Sequence, residues 1–305
     1  MNHVLCGDAT EMLQTLPAAS CRCCVTSPPY YGLRDYGCDG QIGLEQTPEA
    51  YITKLVEVFR EVRRVLTDDG TLWLNIADSY ATRSGPQPPT NTRNRCGHTE
   101  KAVPAGYKYK DLIGIPWLLA FALRADGWYL RQEIIWHKPN CMPESVRDRC
   151  TKSHESIFLL SKSPRYYFDA EAIKEPVAES TVKRLAQDIE HQAGSQRVPG
   201  KTNGPMRAAG DGAYRNKRDV WTVATAAFGG PHFATFPPEL IRPCILAGSA
   251  PGNTVLDPFF GAGTTGLVAW QEGREYIGIE LHPDNCDLAR RRIEAAVWQM
   301  RLEAR

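Results

Sequence analysis

The sequence predicts an α/β fold: a doubly wound, mostly parallel sheet of seven strands with an inserted region. Seven short apolar segments have the character of strands, near residues 3–6, 23–26, 71–76, 129–137, 156–160, 254–257 and 276–280. Segments with helical spacing of apolar residues separate most of them, and this alternation is typical of parallel sheets with helices on both faces. Ligands of such sheets bind where strands end. Polar residues occupy several of these ends, namely Asp8, Ser27, Asp78, Asp257 and Glu280.

Composition sets limits on the kind of protein. The chain has 305 residues and a net charge of +1, from 36 Lys and Arg against 35 Asp and Glu. Nucleic-acid binding would therefore need local basic patches, because the chain has no general basicity. No apolar run reaches membrane-spanning length, and the N-terminal segment has no signal sequence, so we expect a cytoplasmic protein without a membrane partner.

The ten cysteines are expected to be buried or scattered thiols. Cys21 and Cys24 form a C-x-x-C pair, but it lies on a predicted strand and no second pair follows at zinc-site spacing. We therefore predict no metal site and a reducing compartment.

The predicted helices begin at favourable capping residues. Asp8 can cap the first helix. The segment Thr47-Pro48-Glu49 suits the N-cap and first turn of a second helix, which Asp68-Asp69-Gly70 would end. The strands near 129–137 and 156–160 are expected to pair as an antiparallel edge. Further helices are predicted over residues 116–125, from Phe236-Pro237-Pro238 with a kink at Pro243, from a glycine loop to Gly273, and from Pro283 onward.

Two stretches differ from this alternating core. Residues 171–220 are polar and poor in large aliphatic residues, which predicts a small inserted subdomain or a disordered stretch. Residues 81–110 are predicted to form a long, mobile, positive loop, either a solvated surface loop or one that closes over a polyanion. Its basic residues, set against a single acid, are Arg83, Arg93, Arg95, Lys101, Lys108 and Lys110.

The segment Thr26-Ser27-Pro28-Pro29-Tyr30 leaves the second strand stiffly. Each proline fixes φ and lacks an N–H donor, and Pro28 pushes Ser27 toward an extended backbone. A hydroxyl precedes this turn and an aromatic ring follows it. The arrangement suits a pocket that accepts hydrogen bonds from a flat, amino-bearing ring and stacks on its face. A proline-rich turn with a core tyrosine is the alternative.

A glycine loop follows the strand near 254–257. Gly261, Gly263 and Gly266 satisfy G-x-G-x-x-G, and Glu280 stands 19 residues after Gly261 at the end of the next strand. This spacing is typical of dinucleotide sites, so an NAD-dependent oxidoreductase is one candidate. S-adenosylmethionine has matching needs: a carboxylate for its ribose, Asp257 for its ammonium group, and Thr264, Thr265 and the helix N-terminus for its carboxylate. A turn required only for packing is the third interpretation.

The two motifs together favour a methyltransferase. An exocyclic amine is a poor nucleophile because its lone pair is delocalised into the ring. If Ser27 Oγ and the Pro28 carbonyl accept its two N–H bonds, the nitrogen is drawn toward tetrahedral geometry while Tyr30 stacks on the ring. Such catalysis is mainly positioning with electrostatic help, and it requires neither a strong base nor a covalent cysteine.

These residues resemble the amino-methylating DNA methyltransferases, of N4-cytosine and N6-adenine type, in the circularly permuted β arrangement. The resemblance covers nearly all of the chain outside residues 81–110 and 171–220. It is found at Gly7-Asp8, Ser27 to Tyr30, Trp136-His137-Lys138-Pro139-Asn140, His232-Phe233, Phe236-Pro237, Asp257 to Thr265 and Ile279-Glu280.

The resemblance implies a Rossmann-like S-adenosylmethionine-dependent fold with strand order 3-2-1-4-5-7-6, and with the strand near 156–160 antiparallel. Residues 1–170 and 221–305 would be the catalytic and cofactor-binding domain, with the basic loop 81–110 binding double-stranded DNA. Residues 171–220 would be the target-recognition region. The expected cofactor contacts are Asp8 by the adenine, Glu280 at the ribose, His232, Phe236 and Pro237 by the methionine, and Asp257, Phe259, Gly261, Gly263, Thr264 and Thr265 in the loop.

The expected substrate is a base flipped out of the duplex. In the family, Ser at the first motif position is typical of N4-cytosine enzymes and Asp of N6-adenine enzymes, so Ser27 favours cytosine N4 over adenine N6. A non-catalytic DNA-binding module would predict loss of Ser27 or of the glycine loop, and both are intact. A restriction endonuclease for the same site is a candidate partner, and monomer and homodimer both remain open.

Overall fold

The computed structural model of the chain describes residues 2–82, 102–178, 180, 182, 213–225 and 236–303. Four of the predicted DNA-binding residues (Arg83, Arg93, Arg95 and Lys101) and the predicted cofactor residue His232 lie outside these residues. Two compact units are present: one comprises Met1–Phe168 with Asp219–Arg305, and the other comprises Asp169–Arg218.

The strands and helices have the following bounds. The strands are β1 His3–Cys6, β2 Cys21–Thr26, β3 Leu66–Ile76, β4 Tyr129–His137, β5 His154–Ser161, β6 Glu175–Pro176, β7 Tyr214–Arg215, β8 Val220–Thr222, β9 Thr254–Asp257 and β10 Glu275–Glu280. The α-helices are α1 Ala9–Thr15, α2 Pro48–Val65, α3 Ile115–Ala125, α4 Pro238–Gly248, α5 Thr264–Gln271 and α6 Pro283–Glu303.

The larger unit contains an eight-stranded sheet in the order β1-β10-β9-β2-β3-β5-β4-β8. Neighbouring strands are parallel except for β5, which runs antiparallel to β3 and β4. If β9, β10 and β1 are numbered 1 to 3, and β2, β3, β4 and β5 are numbered 4 to 7, the sheet has the expected order 3-2-1-4-5-7-6. Strand β8 is added beside strand 6. The doubly wound, mostly parallel fold is therefore confirmed, whereas the predicted count of seven strands is wrong. Strand β8 has only three residues, which is too short for a recognisable alternation of apolar and polar residues.

Helices cover both faces of the sheet. Helices α1 to α3 pack together on one face and α4 to α6 on the other. On the first face, α2 buries a helical stripe that includes Tyr51, Leu55, Phe59 and Val62 against the sheet. On the second face, α4 approaches closely: a Cβ on Gly248 would lie 2.6 Å from the Cys23 Sγ. Only a glycine fits at this crossing.

The predicted helix starts agree with the structure. Asp8 Oδ1 accepts hydrogen bonds from the backbone N–H of Thr10 at 2.8 Å and Glu11 at 3.0 Å, so it caps α1. Thr47 Oγ1 accepts from Ala50 N at 3.2 Å and caps α2. The predicted end of that helix at residues 68–70 is wrong. Leu66 already pairs with Cys21, and the pairing shifts before Cys23 meets Thr71, so residues 67–70 form an irregular start of β3.

The cysteines on β2 lie in the core. Cys21, Cys23 and Cys24 have no exposed surface, and burial raises the pKa of Cys21 to about 11 and that of Cys23 to about 12. These thiols therefore stay protonated, unlike nucleophiles or metal ligands. Within the described ranges no cluster of three metal-ligating side chains occurs, and none of the described helices has the length and apolar character needed to span a bilayer.

The smaller unit contains the two-stranded antiparallel sheet of β6 and β7. Glu175 Oε1 accepts hydrogen bonds from the Nε of Arg215 at 2.9 Å and from the Nε of Arg218 at 2.6 Å. Most of this unit, including residues 183–212, lies outside the described residues.

Candidate active site

A cleft runs along the carboxyl ends of β1, β10, β9 and β2. The predicted site residues that line it are Asp8, Ser27, Pro28, Pro29, Tyr30, Phe236, Phe259, Gly261, Thr264 and Glu280. Pro237, Asp257, Gly263 and Thr265 do not line the cleft. The fold thus brings the first motif and the glycine loop, more than 200 residues apart in sequence, to one cleft.

Glu280 is held by the loops on either side of it. Its Oε2 accepts from Gly261 N at 2.8 Å, and its Oε1 accepts from His282 N at 2.9 Å and from Asn285 Nδ2 at 3.3 Å. A carboxylate oxygen can accept two hydrogen bonds, so Oε2 keeps room for a further donor from the cleft. The carboxylate is fixed in place before any ligand enters.

The glycines of the loop serve different purposes. Gly263 has φ +77°, and a Cβ there would lie 2.9 Å from Ala289 Cβ of α6. A Cβ on Gly266 would lie 2.5 Å from the ring of Phe260. These two glycines are needed for packing, whereas Gly261 lines the cleft and donates to Glu280. The packing interpretation therefore holds for Gly263 and Gly266, and the ligand interpretation stays a prediction for Gly261.

Asp257 joins the two motifs from behind the cleft. Its Oδ1 accepts from Thr26 Oγ1 at 2.6 Å and from Phe259 N at 3.0 Å, and its Oδ2 accepts from Thr265 Oγ1 at 2.7 Å. The side chains of Thr26, Asp257 and Thr265 form what we call the Asp257 bridge. Asp257 is 1% exposed, and burial raises its pKa to about 6 although these hydrogen bonds oppose the rise. The predicted contact with a cofactor ammonium group stays a prediction.

Arg292 is a loop contact that the sequence reasoning missed. From α6 its Nη1 donates to the Ala262 carbonyl at 3.0 Å and to Thr264 Oγ1 at 2.9 Å. Burial lowers the pKa of this guanidinium. An arginine on an amphipathic helix usually faces solvent, so no sequence signal marked this one.

The first motif is fixed by contacts on both sides. Tyr51 of α2 donates its hydroxyl to the Pro29 carbonyl at 2.8 Å. Gly43, at φ +107°, approaches so closely that a Cβ there would lie 3.1 Å from the Tyr30 carbonyl oxygen. Among the described residues, none donates to the Pro28 carbonyl. The stiff turn therefore leaves Pro28, and not Pro29, with an available acceptor.

Tyr30 enters a polar network at the other end of the cleft. Its hydroxyl lies 2.7 Å from Glu155 Oε2, 3.2 Å from Asn75 Oδ1 and 3.3 Å from Ser27 Oγ. Asn75 Nδ2 donates to Glu155 Oε2 at 3.1 Å, and Lys138 forms an ion pair with Glu155 Oε1. Burial and the charge of Glu155 raise the pKa of Tyr30 well above its usual value. Asn75 and Glu155 were not predicted as site residues.

Two of the predicted DNA-binding lysines lie among the described residues, and neither lines the cleft. Both Lys108 and Lys110 are exposed. Lys110 Nζ lies 2.5 Å from Asp148 Oδ2, so part of its charge is already compensated. The two lysines are thus unequal as contacts for a polyanion.

The cleft fits an adenosine cofactor with a positive charge. Asp8 and Glu280 contribute negative charge, Phe236, Phe259 and Ile279 contribute apolar surface, and none of its described lining residues is Lys or Arg. A pyrophosphate would find no Lys or Arg here and would depend on backbone N–H groups of the glycine loop, whereas a sulfonium compound with a ribose diol meets carboxylates. This lining favours S-adenosylmethionine over a dinucleotide.

Comparison with known proteins agrees with this chemistry. Residues 21–291 match the N6_N4_Mtase family model, described as DNA methylase. The chain is 50% identical to the Type II methyltransferase M.Cfr9I of Citrobacter freundii, over 94% of this chain and 86% of that protein. It is 49% identical to the Type II methyltransferase M.SmaI of Serratia marcescens, over 95% of this chain and 90% of that protein.

Solved structures share the fold at low sequence identity. The PvuII DNA methyltransferase, which is cytosine-N4-specific, superposes with a TM-score of 0.63 at 18% identity, over 97% of this chain and 90% of that one. TTHA0409 from Thermus thermophilus, complexed with S-adenosyl-L-methionine, gives a TM-score of 0.60 at 23% identity, over 97% and 95%. Because the family model spans most of its length, the chain belongs to the N6_N4_Mtase family of S-adenosylmethionine-dependent DNA methylases.

Proposed function

We propose that this site-specific DNA methyltransferase modifies the exocyclic N4 amine of cytosine in a base flipped out of double-stranded DNA. The observation that carries the proposal is the presence of Ser27, Pro28 and Tyr30 in the same cleft as Glu280 and Asp8. A hydrogen-bond acceptor for an amine and a carboxylate for an adenosine cofactor thus line one space.

The proposed cofactor contacts follow from the cleft. Glu280 Oε2 accepts from the ribose, Asp8 lies by the adenine, and the glycine loop with Phe259 and Thr264 faces the methionine end. Phe236 belongs to the same wall. Pro237 and His232 stay contacts of the methionine end that are predicted from the sequence alone. S-adenosylmethionine supplies an electrophilic methyl group when bound. The protein's part is to hold this group rigidly and to keep the cleft free of competing cations.

The proposed substrate contacts come from the first motif. Ser27 Oγ and the Pro28 carbonyl accept the two N–H bonds of the amine, since Tyr51 already occupies the Pro29 carbonyl. Tyr30 stacks on the base, and this contact helps to offset the few kcal/mol of pairing and stacking lost on flipping. Preorganised acceptors of this kind act without reorganisation during the reaction.

Cytosine is favoured over adenine by Ser27, since the family pattern associates serine with N4-cytosine enzymes. The PvuII enzyme, which shares the fold, is itself cytosine-N4-specific. Adenine N6 remains the second candidate, because both amines present two N–H bonds in the plane of a ring. Residues 171–220 are proposed to recognise the target sequence. The Type II naming of M.Cfr9I and M.SmaI supports a restriction endonuclease as functional partner.

Nucleoside analysis of DNA methylated by the purified protein tests the proposal. We expect N4-methylcytosine, formed only when S-adenosylmethionine is present. Detection of N6-methyladenine would instead identify adenine N6 as the methylated amine. The absence of both products would overturn the proposal. Thermal stabilisation by S-adenosylmethionine but not by NAD is expected in the same preparation.

A further inference from the structure

Glu155 is buried beside the first motif although it does not line the cleft. Its residue exposure is 9%, and both carboxylate oxygens are in use. Oε2 accepts from the Tyr30 hydroxyl and from Asn75 Nδ2, while Oε1 pairs with Lys138. A charge this far from water needs several partners, and each of these partners is thereby fixed in direction.

The direction of the Tyr30 hydroxyl follows from this charge. An ionised carboxylate can only accept, so the tyrosine O–H must donate at the 2.7 Å contact. The contact with Asn75 Oδ1 is longer, 3.2 Å, and its acceptor is neutral, so it cannot compete for the single proton. Burial keeps that proton in place, since it raises the pKa of Tyr30.

Ser27 completes the chain of hydrogen bonds. Its Oγ lies 3.3 Å from the Tyr30 oxygen, which still has lone pairs to accept with once its proton points at Glu155. The serine proton is therefore directed at Tyr30. The remaining lone pairs of Ser27 Oγ face the cleft, where the oxygen can accept a hydrogen bond but cannot donate one.

We propose that Glu155 is a positioning residue that sets Ser27, through Tyr30, as a hydrogen-bond acceptor and so selects bases with an amine. Cytosine presents an N4 amine where uracil and thymine present an O4 carbonyl, and a carbonyl meets only lone pairs at Ser27. The inference rests on the proposed role of Ser27 in binding the amine. It adds the reason why that hydroxyl presents an acceptor and not a donor.

A purely structural role for Glu155 makes different predictions. Glu155 also links β5 to Asn75 of β3 and to Lys138, which follows β4. If that were its whole role, its replacement would lower stability without altering how the enzyme distinguishes an amine from a carbonyl. Base discrimination and coupling to Tyr30 are therefore the informative measurements.

The first experiment is a double-mutant cycle of Glu155→Gln and Tyr30→Phe. Glutamine keeps the shape but can donate, and phenylalanine keeps the ring but interrupts the chain. We expect each change to lower kcat at least 10-fold with S-adenosylmethionine binding within twofold of wild type. We also expect the double variant to lose no more than the larger single loss, because both changes break one chain. Multiplicative losses would overturn the inference.

The second experiment measures base discrimination. The probe is a duplex carrying the enzyme's own methylation site, with the target cytosine either kept or replaced by uracil opposite the same guanine. The mismatched uracil flips more easily whichever variant is bound, so the variants are compared by the ratio of their affinities for the two duplexes. Glu155→Gln is expected to lower the ratio of cytosine-duplex to uracil-duplex affinity at least threefold relative to wild type. An unchanged ratio would refute the selection of amines.

Controls separate the possible failures. Glu133→Gln is the matched control: Glu133 of β4 also accepts from a serine, Ser156 Oγ at 2.7 Å, but it has no contact with Tyr30. Its kcat should stay within twofold of wild type. If Glu155→Gln alone does not fold, the charge-free pair Glu155→Gln with Lys138→Gln takes its place. Active wild type, inactive Ser27→Ala and normal Glu155→Gln would refute only this inference. Wild type without methylated product would refute the proposed function.

Discussion

The two sides of the cleft hold their acidic groups in different ways. On the side proposed to bind the cofactor, which we call the cofactor side, Asp8 and Glu280 accept mainly from backbone N–H groups. This side is formed by β1, β10 and the glycine loop. On the side proposed to bind the base, which we call the base side, Glu155 accepts from the side chains of Tyr30, Asn75 and Lys138 but does not itself line the cleft. This side is formed by the first motif, β3 and β5. The Asp257 bridge joins the sides.

This difference predicts different roles for the two sides, one in the affinity for the cofactor and the other in the rate of methyl transfer. Backbone donors fix where a carboxylate lies, and the loop conformation alone supplies them. A hydroxyl group such as that of Tyr30 can donate or accept, so its contact with a carboxylate also sets the direction of its other hydrogen bonds. We therefore expect changes on the cofactor side to weaken cofactor binding, and changes on the base side to slow methyl transfer.

Ser27→Ala should have the largest effect, on the base side. Removing one preorganised hydrogen-bonding group from an active site typically costs about 10²- to 10³-fold in kcat. Calorimetry should show S-adenosylmethionine binding unchanged, while single-turnover assays show the loss. Ser20→Ala, just before the opposite end of β2, is the control. Near-normal turnover in Ser27→Ala would contradict the assigned role, and weaker cofactor binding would break the division between the sides.

Glu280→Ala should have the next largest effect, on the cofactor side. Losing a hydrogen bond to a charged group costs about 1.5–3 kcal/mol, equivalent to roughly 10- to 100-fold weaker S-adenosylmethionine binding. At saturating cofactor, kcat should change little. Glu275→Ala, at the other end of β10, should bind the cofactor normally. Equal affinities for both variants would argue against the ribose contact.

The Asp257 bridge should respond to pH. The pKa of Asp257 is raised from 3.8 to about 6 in the folded protein, so the folded protein binds this proton more tightly than the unfolded chain does. The resulting stability is present below about pH 4 and is lost as pH rises through 6. Relative to Asp257→Asn, wild type should lose up to about 3 kcal/mol of unfolding free energy across this window. Urea unfolding at several pH values measures this, and parallel pH profiles would refute it.

The smallest effect is expected outside both sides of the cleft, at two lysines. Lys108→Gln should reduce the slope of log affinity for DNA against log salt by about 0.9. Lys110→Gln should reduce it less, because Asp148 already pairs with that charge. DNA binding titrated at several salt concentrations compares them. Unchanged slopes for both variants would show that neither lysine contacts DNA.

The fold class and half of the site could be predicted from the sequence because their signals are local. Helical spacing, caps and strand lengths indicated the alternation, and parallel strands bring their carboxyl ends together, which located Asp8, Ser27 and Glu280. Glu155 does not lie at the carboxyl end of a parallel strand, so this rule did not locate it. Strand β5 is antiparallel, so its beginning and not its end lies at the active edge. Its contact with Tyr30 spans 125 residues, and no spacing rule reaches that far.

The pairing of β1 has a consequence for the order of assembly. Within the described part of the chain, β1 pairs only with β10, and Arg290 of α6 donates to the Val4 carbonyl at 2.8 Å. A ribosome completes residues 275–290 long after residues 3–6, so β1 cannot pair with β10 until late in synthesis. Strands β2, β3, β4 and β5 can pair with one another earlier. The strands beside the proposed base-binding groups can thus pair before the sheet edge beside the proposed cofactor-binding groups is complete.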